Sequence, residues 1–147
     1  MQRISWMVGV SLIVGLGIMS CATEPFPSSR SLYERLGGKS AIHAVVDQFV
    51  ANVAQDARIN SRFASVDIPR LKRHLVDQIC AATGGPCTYR GRDMKTAHAG
   101  MGITNQEFDA LVEDLRAAMT TLHVPAQEQQ ELLAMLEPMR GDIVEVP

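Results

Sequence analysis

A chain of 147 residues with a formal net charge of -2 has room for one domain around one core. Its two charge signs are interspersed and no basic block is present, which excludes the usual electrostatic footprint of a nucleic-acid binder. Hydrophobic residues make up 46% of the chain but aromatics only 5%, so the core must be mainly aliphatic.

The first segment, MQRISWMVGVSLIVGLGIMSC, has a short positive start at Arg3, an apolar run from Ile4 to Met19, and then Ser20 and Cys21. A run this short ending in small residues reads as a secretory signal over residues 1–20. Ile18-Met19-Ser20-Cys21 resembles a bacterial lipobox, in which Cys21 is lipidated and becomes the new N-terminus. The alternatives are an uncleaved membrane anchor or a signal cut elsewhere. In each case the domain is exported and membrane-tethered, on the periplasmic side. Residues 21–31 then read as a polar, proline-containing tether, and residues 32–147 as the domain.

The rest of the chain reads as helices and connections, an all-α fold. Residues 32–36 (LYERL) form a short helix ended by Gly37 and Gly38. Ile42, Val45, Val46, Phe49 and Val53 recur at helical spacing in the next helix, with Ser40 expected as its cap. Residues 58–63 make a short turn. Asp67 caps a further helix with Pro69 in its first turn, and Ile68, Leu71, Leu75 and Ile79 form its apolar face. TGGP at residues 83–86 stops it.

Residues 87–93 lack periodicity and read as a loop. Residues 94–100 form at most one short helix. Thr104 and Glu107 have the spacing of a capping box for a long helix that buries Phe108, Leu111, Val112, Leu115, Met119 and Leu122. Pro125 opens one last helix, burying Leu132, Leu133, Met135, Leu136, Met139 and Ile143. These helices do not obviously fill their own interior. A large flat apolar cofactor would complete the core and stabilise it by mass action.

The cysteines are Cys21, Cys80 and Cys87. With Cys21 lipidated, Cys80 and Cys87 remain as a pair that can oxidise outside the cytoplasm, across a turn-forming TGGP. The alternative is a buried thiol at Cys80 and an exposed one at Cys87.

Four histidines are present: His43, His74, His98 and His123. His43 and His123 read as surface or boundary residues. His98 lies in MKTAHAGMG, a lightly built, glycine-flanked segment suited to being held by a bond to something else. Neutral imidazole is a common axial ligand of haem iron; the alternative is a partly exposed helix histidine. His74 projects beside the apolar stripe of its helix, as a boundary residue or as a partner to His98. No further Cys/His cluster has zinc spacing, and no Cys-x-x-Cys-His indicates covalent haem attachment.

Three stretches resemble the group I truncated haemoglobins: LYERLGG, FVANVAQDARINSRFASVD and TGGPCTYRGRDMKTAHAGMGIT. The resemblance spans nearly the whole domain. It implies a two-over-two helical sandwich around non-covalent haem b, with His98 as proximal iron ligand and His74 at a position that binds iron directly in some members. It further implies that Phe63 stacks on haem, that Met94 packs against it, and that Arg70 and Tyr89 meet its propionates. Phe49, Leu71 and Leu75 complete the cofactor-binding set.

The distal side departs from the family pattern. Val50 stands where members often carry Tyr, and Leu71 and Leu75 where many carry Gln. An imidazole at His74 is then expected to lack hydrogen-bond partners, a cost relieved by binding iron.

The implied activity is reversible binding or transport of oxygen or another diatomic gas. No catalytic residue is assigned. Nitric oxide dioxygenation is known in the family, but the missing Tyr and Gln count against it and it would need a separate reductase. Two alternatives stand beside this reading: a bis-histidine electron-transfer protein with a redox partner, and a haem-free helical lipoprotein that binds a partner.

Overall fold

The computed structural model describes residues 30–146; the segment read as a signal, Cys21 and most of the segment read as a tether lie outside them. Among the described residues no strand is formed and no helix is long and apolar enough to cross a membrane. The helices are α1 Leu32–Arg35, α2 Gly38–Gln55, α3 Ile68–Ala82, α4 Met94–His98, α5 Asn105–Thr121, α6 Ala126–Leu136 and α7 Arg140–Ile143. 3-10 turns occupy Asn60–Phe63 and Glu137–Met139.

α2 is the centre of the fold, packed along both α3 and α5, and the arrangement is the expected two helices over two. Its periodic residues Ile42, Val45, Val46, Phe49 and Val53 are all buried, meeting Ala110, Leu115, Ala118 and Met119 of α5 and Leu132 of α6. Burial of each large aliphatic side chain contributes about 1.5–3 kcal/mol. Arg35 holds α1 against α6 through ion pairs with Glu128 and Glu131.

Two helix starts follow their sequence signals. The Asp67 carboxylate accepts from the Arg70 N–H at 3.0 Å, satisfying a free amide of α3. Thr104 and Glu107 form the full capping box of α5. The Ser40 cap does not form. Gly37, in the left-handed region at φ +96°, starts α2 earlier, and Ser40 lies within its first turn.

The last helix is also broken. Pro138 lacks an N–H to continue an α-helical ladder, and a 3-10 turn separates α6 from α7 there. Met135 is exposed, because Leu132 and Leu136 take the inward side of α6. Leu122 is exposed as well: α5 ends at Thr121, so its period does not reach that residue.

α3 carries two apolar faces where one was expected. Val76, Ile79 and Cys80 are buried in the core, while Leu71 and Leu75 line a cavity on the other side. Cys80 and Cys87 are joined in a disulfide, with their Cα atoms 5.7 Å apart. The bridge fastens the loop after α3 to the helix itself.

Candidate functional site

The cavity beside α3 has two parts. The inner part, about 150 Å³, is lined almost wholly by apolar side chains, among them Phe49, Phe108, Leu111, Leu115 and Ile143. The outer part, about 530 Å³, opens to solvent past Arg70, His74, Tyr89, Arg90 and Arg92. Leu71, Leu75, Gln78, Met94 and His98 line both parts, so the two are continuous. α3 forms one wall; α4, α5 and α7 supply the inner walls facing it.

His98 is the last residue of α4, whose five residues include none that is buried. Asp93 starts this helix by accepting from the Thr96 N–H at 2.8 Å. The His98 Nδ1 lies 2.8 Å from the Met94 carbonyl oxygen. A carbonyl only accepts, so Nδ1 carries the proton and donates, and Nε2 keeps its lone pair. This is the tautomer and the backbone support that a metal-ligating imidazole needs.

His74 lines the outer cleft only. Arg70 Nε donates to His74 Nε2 at 3.4 Å, and the Tyr89 ring meets the imidazole edge-on at 6.1 Å between centroids. The expected lack of hydrogen-bond partners is therefore overturned: one turn of α3 places a guanidinium four residues away, within reach of the ring. Any bond from Nε2 to a metal requires Arg70 to let go.

Tyr89 stands at the cleft mouth, but its hydroxyl donates to the Arg92 carbonyl at 2.7 Å. That leaves the oxygen as an acceptor rather than a donor to a carboxylate. Gly91 permits this fold, since a Cβ there would lie 2.2 Å from the Tyr89 hydroxyl. Burial pushes the Tyr89 phenol above its ordinary range, with Asp93 adding to the effect.

Phe63 and Val50 are not brought to the cavity. They line a side pocket of about 230 Å³ between α2 and α3, reached across Leu71. His43 is exposed and bonded to Asp47 at 3.0 Å, and His123 is exposed at φ +56°.

Several cavity residues were not assigned to the site by the sequence reading, among them Gln78, Arg90 and Arg92. Gln78 follows Leu71 by seven and Leu75 by three, the spacing of one helix face, and its amide rests on the sulfurs of Met94 and Met139. Arg90 and Arg92 add positive charge at the mouth. They sit in an aperiodic loop, where spacing gives no signal.

An apolar slot, an imidazole with a supported Nδ1–H and a cationic mouth fit a flat macrocycle with carboxylates on one edge, the pocket of a globin. A model of the family described as bacterial-like globin matches residues 31–145. A group 1 truncated haemoglobin of Mycolicibacterium paratuberculosis is 35% identical over 113 residues, covering 77% of this chain and 83% of that protein. One from Synechocystis is 38% identical over 109 residues, covering 71% and 88%. The crystal structure of Tetrahymena pyriformis truncated haemoglobin in its Fe(III) form superposes with a TM-score of 0.76 at 33% identity, covering 78% of this chain and 98% of that one. The chain belongs to the group I truncated haemoglobins, which are haem-binding globins.

Proposed function

We propose that this protein binds haem b non-covalently, with His98 as its permanent axial ligand, and reversibly takes up a diatomic gas, chiefly oxygen. The observation that carries this reading is the His98–Met94 hydrogen bond on a ring that lines the cavity. When bound, haem supplies an iron centre with affinity for diatomic gases. The protein contributes the axial imidazole, the apolar surroundings and the charge at the mouth.

Phe49, Leu71 and Leu75 on the α2–α3 side, with Met94 on α4, offer the macrocycle apolar surface. Arg70, Arg90 and Arg92 offer its carboxylates cations at the solvent edge. Non-covalent attachment is supported by the lining itself. Among the described residues its only histidines are His74 and His98, and Cys80 and Cys87 are consumed by their disulfide. A Synechococcus 2/2 haemoglobin, 32% identical with a TM-score of 0.74, is described with covalently attached haem.

His74, on the α3 wall of the outer cleft, is the group we assign to compete for the iron or donate to a bound ligand. Leu71 and Leu75 offer a ligand nothing polar, and Val50 lies outside the cavity, which argues against nitric oxide dioxygenation. The Cys80–Cys87 disulfide supports an oxidising compartment, in keeping with the exported, membrane-tethered placement read from the N-terminal segment.

The test is the reduced-state absorption spectrum of the purified protein, with and without carbon monoxide. A Soret band that shifts on adding carbon monoxide is the expected result. Reduced bands of a six-coordinate iron that carbon monoxide does not displace would favour bis-histidine electron transfer. A protein that takes up no haem would leave a helical binding module.

A further inference from the structure

Two N–H groups of the segment that follows His98 are held from outside by a single carboxylate. α4 ends at His98, and the chain then runs through Gly100 at φ +78° and Gly102 at φ +61°. Both lie in the left-handed region that favours glycine. A Cβ at either position would meet nothing within 4 Å, so conformation rather than space calls for glycine. These turns present the two backbone N–H groups to Glu145, which lies beyond α7. Glu145 Oε1 accepts from the Gly100 N–H at 2.6 Å and Oε2 from the Gly102 N–H at 2.5 Å.

The carboxylate is itself fixed. The backbone N–H groups of Glu145 and Val146 both donate to the Ile103 carbonyl, at 2.9 and 3.1 Å, and Val146 forms a parallel bridge to Thr104. On its carbonyl side the segment is held by Arg62, whose guanidinium donates to the Met101 carbonyl at 2.6 Å and to the Glu107 carboxylate at 2.7 Å. The two clamps use opposite sets of backbone groups, Glu145 the donors and Arg62 an acceptor. Since α4 has no fully buried residue, the position of His98 is set by the packing of α4 on α7, by these contacts and by the Gln78 amide on Met94.

We infer that Glu145 is a positioning residue for His98: by holding the Gly100 and Gly102 amides from the C-terminal tail, it fixes where the imidazole can stand and so tunes the bond His98 makes to iron. The inference rests on the assignment of His98 as the axial ligand. Charge-assisted bonds to a carboxylate are roughly twice as strong as neutral ones. Their loss lets α4 shift, because it has no fully buried residue to anchor it and otherwise rests on α7 and the Gln78 amide.

The experiment compares Glu145→Ala and Glu145→Gln with the parent, each carrying His74→Leu so that the reduced iron has one histidine ligand. Two quantities are read: the iron–histidine stretching band by resonance Raman, and the rate of haem transfer to excess apomyoglobin. The expected result is a displaced or broadened band and haem transfer faster by about tenfold in Glu145→Ala. Glu145→Gln, which keeps one acceptor oxygen, should fall between that variant and the parent. A folded Glu145→Ala protein with the parent's band and transfer rate would overturn the inference, as would a lowered Tm with an unchanged band. The same measurements on His98→Ala separate the two levels. If its band is that of the parent, the assignment of His98 fails. If the band is lost there but unmoved in the Glu145 variants, only the positioning role fails.

Discussion

The Nδ1–H of His98 donates to the carbonyl of Met94, one turn back in the same short helix, at 2.8 Å. Because the donor side of the ring is committed to the backbone, its Nε2 lone pair is the group left for a metal. Met94 lines the cavity through its side chain while its carbonyl orients His98. One turn of helix thus supplies both apolar surface and tautomer control.

His74 presents the opposite situation on the facing wall, with its Nε2 engaged by the Arg70 guanidinium. Competition with external ligands is then governed by that bond. Replacing Arg70 by Ala should release the imidazole and increase the six-coordinate fraction in the reduced spectrum. His74→Leu should give a purely five-coordinate spectrum and faster carbon monoxide binding. If one molecule in about a hundred is open in the parent, the gain in apparent affinity is about 2.7 kcal/mol. Spectra and carbon monoxide binding rates identical to the parent's in both variants would remove His74 from the iron's surroundings.

The disulfide between Cys80 and Cys87 closes a short loop at the end of α3 and anchors the strand of chain that carries Tyr89, Arg90 and Arg92 to the cleft mouth. By chain entropy alone a loop of this length contributes about 2–3 kcal/mol. Cys80→Ala with Cys87→Ala should therefore lower the Tm of the apoprotein. Mass spectrometry of non-reduced, alkylated protein produced in an oxidising compartment should show neither cysteine labelled. Two alkylated thiols in that preparation would contradict the bridge.

Asp114 Oδ2 is buried and finds no hydrogen-bond partner among the described residues. Burial, followed by the nearby Asp56 carboxylate, raises the Asp114 pKa above the usual carboxylate range; Glu113 adds to this and Arg58 opposes it. A folded pKa above the unfolded one means no penalty while the group is protonated, below the ordinary value of about 3.9. Stability is then lost as pH rises through the folded pKa. Asp114→Asn, which removes the penalised charge, should stabilise the protein at pH 7 and so raise its Tm, modestly because part of the side chain reaches solvent. The difference should vanish near about pH 3. Thermal melts at the two pH values check this, and an equal effect at both would contradict it.

Much of the scaffold was legible because local signals and tertiary packing agree. The apolar spacing of α2, the Asp67 cap and the Thr104–Glu107 capping box each need only a few neighbouring residues, and each appears as read. What was not legible depends on distant groups. Ser40 loses its place as cap to a left-handed Gly37. Pro138 interrupts a periodic pattern that otherwise runs on to Ile143. The site divides the same way. Leu71, Leu75, Met94 and His98 meet at one cavity, while Phe63 lines a separate pocket that shares Leu71 with it. Arg90, Arg92 and Glu145 act from aperiodic chain, and only the fold brings them near His98.

The measurement that bears most directly on the whole account is the haem content and Soret spectrum of His98→Ala, purified beside the parent under identical conditions. His98 holds the haem in this account, and holo stability is linked to cofactor binding by mass action. The variant should retain little haem, show an altered Soret band in what remains, and melt at a lower temperature than the parent. Full haem occupancy with the parent's spectrum would contradict the assignment of His98 and the function built on it.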